Sequence, residues 1–334
     1  MTIYDISQKA GVSIATVSRV LNGSDKVKPS TKKKIMDIIE ENGYSPNVFA
    51  RGLGLDSMKS VGILCADSSD IYLAKAVYYI ERALKENGYS SLLACTGYDL
   101  EGRKSALSMI LNQRVDCVIL AGSSFVYENE EDNQYIRDAA DKVPVMLLNA
   151  DYSYPNVYPT LCDDFKSTRD AAVWLLTHGR KNVLYLYNSG SFSAKRKLAG
   201  YRDALARLNL TLPSSYEQLF DGPRDDTEGV SDYLARLAND GLVFDAVLCA
   251  DDMLAAGAVK YAIRQNLSVP DDLSVIGYNN SILTKVCQPE LTSVDNHLEN
   301  LCRSLVSTCM NVLKKEDTPT KTLFTGEIIF RETT

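Results

Sequence analysis

The sequence has only two histidines, His178 and His297, among 334 residues, and neither has a second metal-type side chain at ligand spacing. A zinc site is therefore not expected. The patterns G-x-S-x-G, H-E-x-x-H, G-x-x-x-x-G-K-[ST] and strand-linked G-x-G-x-x-G are all missing, so the common nucleophile, metalloprotease, phosphate-loop and dinucleotide signatures do not apply. No apolar run approaches the roughly 18 to 20 residues a membrane span needs. The opening MTIYDISQKA has no apolar core of a secretory leader, so a cytoplasmic location is expected. Eight cysteines include no C-x-x-C pair, and several sit in apolar runs such as VDCVIL and AVLCAD. They read as buried, reduced thiols rather than disulfides or metal ligands. These absences favour a binding protein over an enzyme, with no cofactor and no metal.

An apolar content of 45% supports real hydrophobic cores, and the length suits two or three domains. The net charge of -7 conceals an asymmetry. Residues 1–59 carry nine Lys/Arg against six Asp/Glu, a balance of +3, while the remainder carries 27 against 37, a balance of -10. A basic head on an acidic body suggests that the head meets a polyanion and the body does not.

In that head, Thr2 can cap a first helix carrying Ile3, Ile6 and Ala10. AGVS supplies Gly11 for a turn and Ser13 as the next cap, and a second helix spans about Ile14 to Leu21. A third follows KPST, with Ile35, Ile38 and Ile39 at helical spacing. Val12, Val17, Val20 and Leu21 can join one small core. Ile14, Ala15, Ser18, Arg19 and Asn22 then face outwards. Two helices about a tight turn make a helix-turn-helix unit, whose second helix enters the major groove of DNA. An arginine there can bind guanine in bidentate fashion, Ala or Ile can meet a thymine methyl, and Thr16, Ser18 and Asn22 suit phosphate contacts. Lys32, Lys33 and Lys34 open the third helix, where the macrodipole disfavours cations, and a phosphate partner would resolve that mismatch. A structural bundle with a merely solvated arginine is the bland alternative. The stretch VFARGLGLDSMKS, weakened as a helix by Gly52 and Gly54, is a linker or folds only on a partner.

From residue 61 apolar strand-length runs alternate with helical stretches: VGILCAD, SSLLACT, VDCVILAG and PVMLLNA, then NVLYLYN, SYEQLF, AVLCADD and LSVIGYN. That cadence predicts two parallel-sheet groups, roughly 61–161 and 162–290. Several strands end in Asp or Asn: Asp67, Asp163 with Asp164, Asp251 with Asp252, and Asn279 with Asn280. The ligand crevice of a parallel sheet lies outside such ends, and these groups suit a hydroxyl-rich small molecule. Helix capping competes with that role at Asp252 and Asn280.

The first fifty residues, TIYDISQKAGVSIATVSRVLNGSDKVKPSTKKKIMDIIEENGYSPNVFARGL, closely resemble the DNA-binding head of the lactose and galactose repressor (LacI/GalR) family of bacterial transcription regulators. SVGILCAD, KLAGYRDAL, DAVLCADDMLAAGAVKYAIRQNLSVPDDLSVIGYNN and PELTSV extend the resemblance over nearly the whole chain. It implies an all-α helix-turn-helix head (1–45), a hinge helix or linker (46–60), and an α/β periplasmic-binding-protein-like core of two parallel-sheet subdomains. The implied N-terminal subdomain comprises 61–161 with 295–323, and the C-terminal one 162–294 with 324–334. By position, Ile14, Ala15 and Arg19 fall where the family reads bases, and Thr2, Tyr4, Ser13, Thr16, Ser18, Asn22 and Thr31 among its other DNA contacts. Leu53 falls where it wedges a hinge leucine into the minor groove.

For the effector pocket the resemblance implies Asp70, Tyr72, Phe165, Arg196, Lys197, Asp251 and Asn279. Here the chain departs from the family: Lys197 replaces a frequent arginine, Asp251 an asparagine and Asn279 an aspartate. The expected function is a regulator, as a repressor, of a pseudo-palindromic double-stranded operator, controlled by a sugar-like effector. No leucine heptad follows the last strand, so a homodimer is expected. The rival is a sugar-binding or sugar-processing protein whose core carries the activity and whose head reads no bases.

Overall fold

The computed structural model describes residues 1–21, 24–43 and 57–334. The chain divides into two compact units, Met1–Lys59 and Ser60–Thr334. Asn22, Leu53 and most of the expected hinge lie outside the described residues.

In the first unit, α1 (Ile3–Ala10), α2 (Ile14–Leu21) and α3 (Pro29–Glu41) enclose a core of Ile6, Ala10, Val17, Val20 and Ile35. Val12 and Leu21 pack against it half-buried, as their spacing predicts. Thr2 caps α1 by accepting from the Asp5 amide, and Asp5 returns a bond to the Thr2 amide. Gly11 ends the helix with φ at +67°, a left-handed conformation that glycine adopts at little cost. Ser13 Oγ then accepts from the Thr16 amide at 3.2 Å and starts α2. Pro29 takes the first turn of α3, where its missing N–H is no loss.

The second unit begins with β1 (Ser60–Cys65), α4 (Ile71–Glu86), β2 (Ser90–Cys95), α5 (Leu100–Asn112) and β3 (Cys117–Ala121). It continues through α6 (Gln134–Ala140), β4 (Val145–Leu148), β5 (Val157–Cys162), α7 (Asp164–Thr177) and β6 (Val183–Tyr187). Next come α8 (Phe192–Arg207), β7 (Glu217–Leu219), α9 (Thr227–Asn239), β8 (Ala246–Cys249), α10 (Asp252–Arg264) and β9 (Ser274–Tyr278). The last elements are α11 (Leu283–Val286), β10 (Thr292–Asp295), α12 (Leu298–Leu313), β11 (Thr322–Phe324) and β12 (Glu327–Ile329).

Two six-stranded sheets result, ordered β11-β5-β4-β3-β1-β2 and β12-β10-β9-β8-β6-β7. All neighbours are parallel except β12, which runs antiparallel to β10. Helices α4 and α12 cover one face of the first sheet, with Ile80, Leu84, Leu301 and Leu305 buried there, while α5 and α6 cover the other. Strands buried on both faces read as unbroken apolar runs, and Cys117–Ala121 is buried throughout.

β5 has no such signature, because it contains Pro159. That residue precedes Thr160, the first partner of β11, so its missing N–H falls outside that pairing. The chain passes between the sheets three times. Cys162 and Phe324 pair with each other in the first sheet, and Asp295 pairs with Glu327 in the second. Each therefore stands on the other side of the boundary expected for it, because the ladder holds to the last residue of each strand. Ser60 likewise belongs to β1 rather than to a linker.

Six of the eight cysteines are buried; Cys287 is half-buried and Cys95 exposed, which departs from the uniform burial expected. No helix among the described residues is long and apolar enough to cross a membrane.

Candidate functional site

On α2 the core takes Val17 and Val20, and the remaining positions form a second face. Ile14, Ala15, Ser18 and Arg19 are spaced so that they share one side of the helix. Ile14 is 38% exposed, and Ala15 and Arg19 are exposed. An apolar side chain in water is ordinary when single; here it stands beside a solvent-facing arginine on the second helix of the helix-turn-helix unit. Tyr4 stands 67% exposed on α1. Thr2, Ser13 and Thr16 already serve the helix ends: the Ser13 and Thr16 hydroxyls lie 3.0 Å apart, and Thr31 is half-buried in the first turn of α3. Lys33 and Lys34 are exposed, Lys32 is half-buried, and the helix begins at Pro29, so only Lys32 falls in its first turn.

The second unit holds a cleft that both sheets line at their strand ends. Its inner chamber, about 120 Å³, is bordered by Asp70, Tyr72, Lys197, Asp251 and Asn279. Asp70 caps α4, accepting from the Leu73 amide at 3.0 Å, and burial raises its carboxyl above the usual range. Asp251 caps α10, accepting from the Leu254 amide at 2.8 Å, and its other oxygen accepts from the Asn188 amide at 2.8 Å. Thus Asp251, not Asp252, is the capping residue of that pair. Asn279 Oδ1 accepts from Asn296 at 3.1 Å, and the Tyr72 hydroxyl accepts from Asn149. Asn296 keeps its own Oδ1 buried without a partner among the described residues.

Lys197 is 7% exposed. Its ammonium donates to the Ala250 carbonyl at 2.8 Å and lies 3.5 Å from the centre of the Tyr278 ring. Burial lowers its pKa, while the carboxylates of Asp164 and Asp251 act in the opposite direction. Asp164 is occupied below the chamber, accepting from Tyr278 at 2.7 Å and Ser193 at 2.6 Å.

Asp252 has a structural task. It accepts from Ser293 and from the Ser281 amide, both at 2.6 Å, and so ties β10 and the loop after β9 to α10. Burial pushes its carboxyl up to about 6, against the opposing effect of those bonds. A folded pKa above the unfolded 3.8 means that its contribution to stability is greatest below about 4 and is lost as pH rises through about 6. Urea denaturation across pH 4.5 to 8 should therefore show a fall in stability of about 2 to 3 kcal/mol centred below pH 6, absent in Asp252→Leu. Equal slopes in both proteins would remove this assignment.

A model described as bacterial regulatory proteins, lacI family, matches residues 2–47, and one described as periplasmic binding protein-like domain matches residues 174–334. An HTH-type transcriptional regulator of Lachnoclostridium phytofermentans is 51% identical over 334 residues, covering 100% of this chain and 99% of that one. The chain belongs to the LacI family.

Catabolite control protein A of Priestia megaterium is 32% identical over 299 residues, covering 88% of this chain and 87% of its own. A lac repressor dimer bound to operator and the anti-inducer ONPF superposes with a TM-score of 0.88 at 25% identity, covering 100% of this chain and 98% of that one. The protein is thus a transcription regulator and not an enzyme, with the helical head and two-sheet, periplasmic-binding-protein-like core of a LacI-family member. Of the pocket residues that the LacI-family resemblance implies, five line the inner chamber. Arg196 borders the outer cavity instead, 3.7 Å from Asp163 and 5.0 Å from the Phe165 ring. Phe165 lines neither space. It is half-buried on α7, and its side chain serves as a platform for Arg196.

Further strand-end amides line the chamber. Asn149 and Asn188 end β4 and β6 within PVMLLNA and NVLYLYN, and both line the chamber. Asn296 likewise follows β10 directly, and Tyr98 and Arg224 line the chamber from loops whose local sequence carries no comparable signal.

Proposed function

We propose that this LacI-family regulator is a repressor that binds a pseudo-palindromic operator as a homodimer and is controlled by a sugar-like effector in the cleft. The exposed Ile14, Ala15 and Arg19 face carries this reading. No carboxylate among the described residues lies within ion-pair distance of Arg19, so its fork remains available to a guanine edge. Tyr4, Thr2, Ser13, Thr16, Ser18, Asn22 and Thr31 position the head on the phosphates, and Leu53 wedges the minor groove. In the cleft, Asp70, Tyr72, Lys197, Asp251 and Asn279 hold the hydroxyls of the effector, with Arg196 at the outer border and Phe165 behind it as the platform for that arginine. The protein acts in the cytoplasm, where its operator is.

Effector and operator are linked through the relative arrangement of the two sheets. The effector alters operator affinity only by its preference between the two arrangements. Selection from random duplexes by the full chain should enrich a site with approximate two-fold symmetry, bound by two chains. Leu53→Ala should weaken binding to that site about tenfold while leaving core folding unchanged. Enrichment of no sequence, or unchanged affinity in the variant, would count against the operator reading and the wedge respectively.

A further inference from the structure

The outer part of the cleft is a cavity of about 960 Å³ that shares Tyr98, Asn188 and Arg224 with the inner chamber. Arg103 borders it from the first turn of α5 and is only 2% exposed. One guanidinium nitrogen donates to the Tyr127 hydroxyl, and the group sits 4.9 Å from the Tyr127 ring centre and 5.5 Å from that of Phe125. Its Nε is buried with no hydrogen-bond partner. Among the described residues no carboxylate lies within ion-pair distance of it. Buried guanidinium groups are normally paired, so an unpaired one beside a cavity points to a missing anion.

The rest of the wall agrees. Arg224, from the other subdomain, lies 4.9 Å from the Tyr98 ring centre and has no carboxylate within ion-pair distance among the described residues, though its charge reaches Asp67 and Asp70. The acids facing the same cavity are engaged: Glu128 by Lys195 at 2.6 Å, Glu130 by Arg137, and Asp151 by Lys321. Asp132 accepts from Asn129 at 3.1 Å. The outer cavity therefore has two guanidinium groups without an ion pair and acids that are engaged, whereas the inner chamber carries Asp70 and Asp251 beside Lys197.

We infer that the effector is an acidic carbohydrate, its hydroxyl-rich ring in the inner chamber and its carboxylate or phosphate outside, between Arg103 and Arg224. This rests on the effector reading above. The polarity follows from charge: the inner carboxylates accept from hydroxyls and repel an anion, with the Lys197 ammonium held by the Ala250 carbonyl and the Tyr278 ring, while a guanidinium fork matches a carboxylate or a phosphate.

Calorimetry on the full-length chain tests this with galacturonic acid, digalacturonic acid and glucose 6-phosphate against galactose, lactose and glucose. An acidic probe is expected to bind roughly 10- to 100-fold more tightly than its neutral counterpart, and the uronate and phosphate arms identify the anion. Arg103→Gln and Arg224→Gln should each reduce that preference at least about tenfold. Arg224 is exposed, so its variant remains informative should Arg103→Gln misfold. Neutral probes binding as well as acidic ones would overturn the inference and leave the effector site standing, as would an acid preference untouched in both variants. Binding of no probe of either kind would overturn the inference and the sugar-effector reading together.

Discussion

Arg19→Ala is expected to lower affinity for the selected operator by about 1 to 3 kcal/mol and to relax preference at a single base pair. Arg19 is exposed on the side of α2 opposite Val17 and Val20, so truncation leaves the small head core intact. The other two proposed readers, Ile14 and Ala15, have no side-chain hydrogen-bonding groups and can contribute only contacts with thymine methyls. On that proposal one arginine carries nearly all of the directional readout. Measuring binding to the operator and to single-base variants, at one fixed salt concentration, separates base reading from phosphate contact. An equal loss on every sequence would make Arg19 a phosphate anchor. A lysine at position 19 would preserve charge but lose the fork, so Arg19→Lys should recover nonspecific binding and not the preference.

Gly200→Ala is expected to destabilise the core by about 3 kcal/mol, with a fall in Tm of several degrees. A Cβ at Gly200 would stand 2.2 Å from the Phe165 carbonyl oxygen, 3.0 Å from its carbon and 3.1 Å from the Arg169 nitrogen. All three are backbone atoms of α7, so the clash cannot be relieved by turning a side chain. The two helices must move apart, and with them Lys197, one turn earlier on α8. Effector affinity should fall as well. Gly190→Ala is the control, because a Cβ there meets nothing within 4 Å. Urea denaturation of the two variants beside the parent decides it; equal stabilities would show that the α7–α8 contact yields easily.

The KLAGY stretch makes the same point about legibility. Its resemblance to the LacI family was evident in the residues, but the reason for the glycine was not, since the atoms it must admit belong to another helix. Phe165 stands outside the lining of the cleft for a related reason. A position inherited from a family says nothing about which way an aromatic ring packs, and here it packs beside Arg196. The strands without an apolar run of their own, β5, β10, β11 and β12, are short or interrupted by Pro159, so their membership of a sheet comes from neighbours rather than from their own pattern.

The sequence by itself determined the head, including the bounds of α2, the left-handed turn at Gly11 and the outward placement of Ile14, Ala15 and Arg19. Those features depend on helical periodicity and on caps made within a few residues. It also determined the alternation of strand and helix, because burial on both sheet faces imposes continuous apolar runs. Only the tertiary structure decided how the charges of the cleft are apportioned. Glu128 and Asp151 find cations far away in the sequence, at Lys195 and Lys321, while Arg103 and Arg224 have no carboxylate within ion-pair distance among the described residues. Pairing of that kind is a property of distances between segments remote in sequence, which no local pattern encodes.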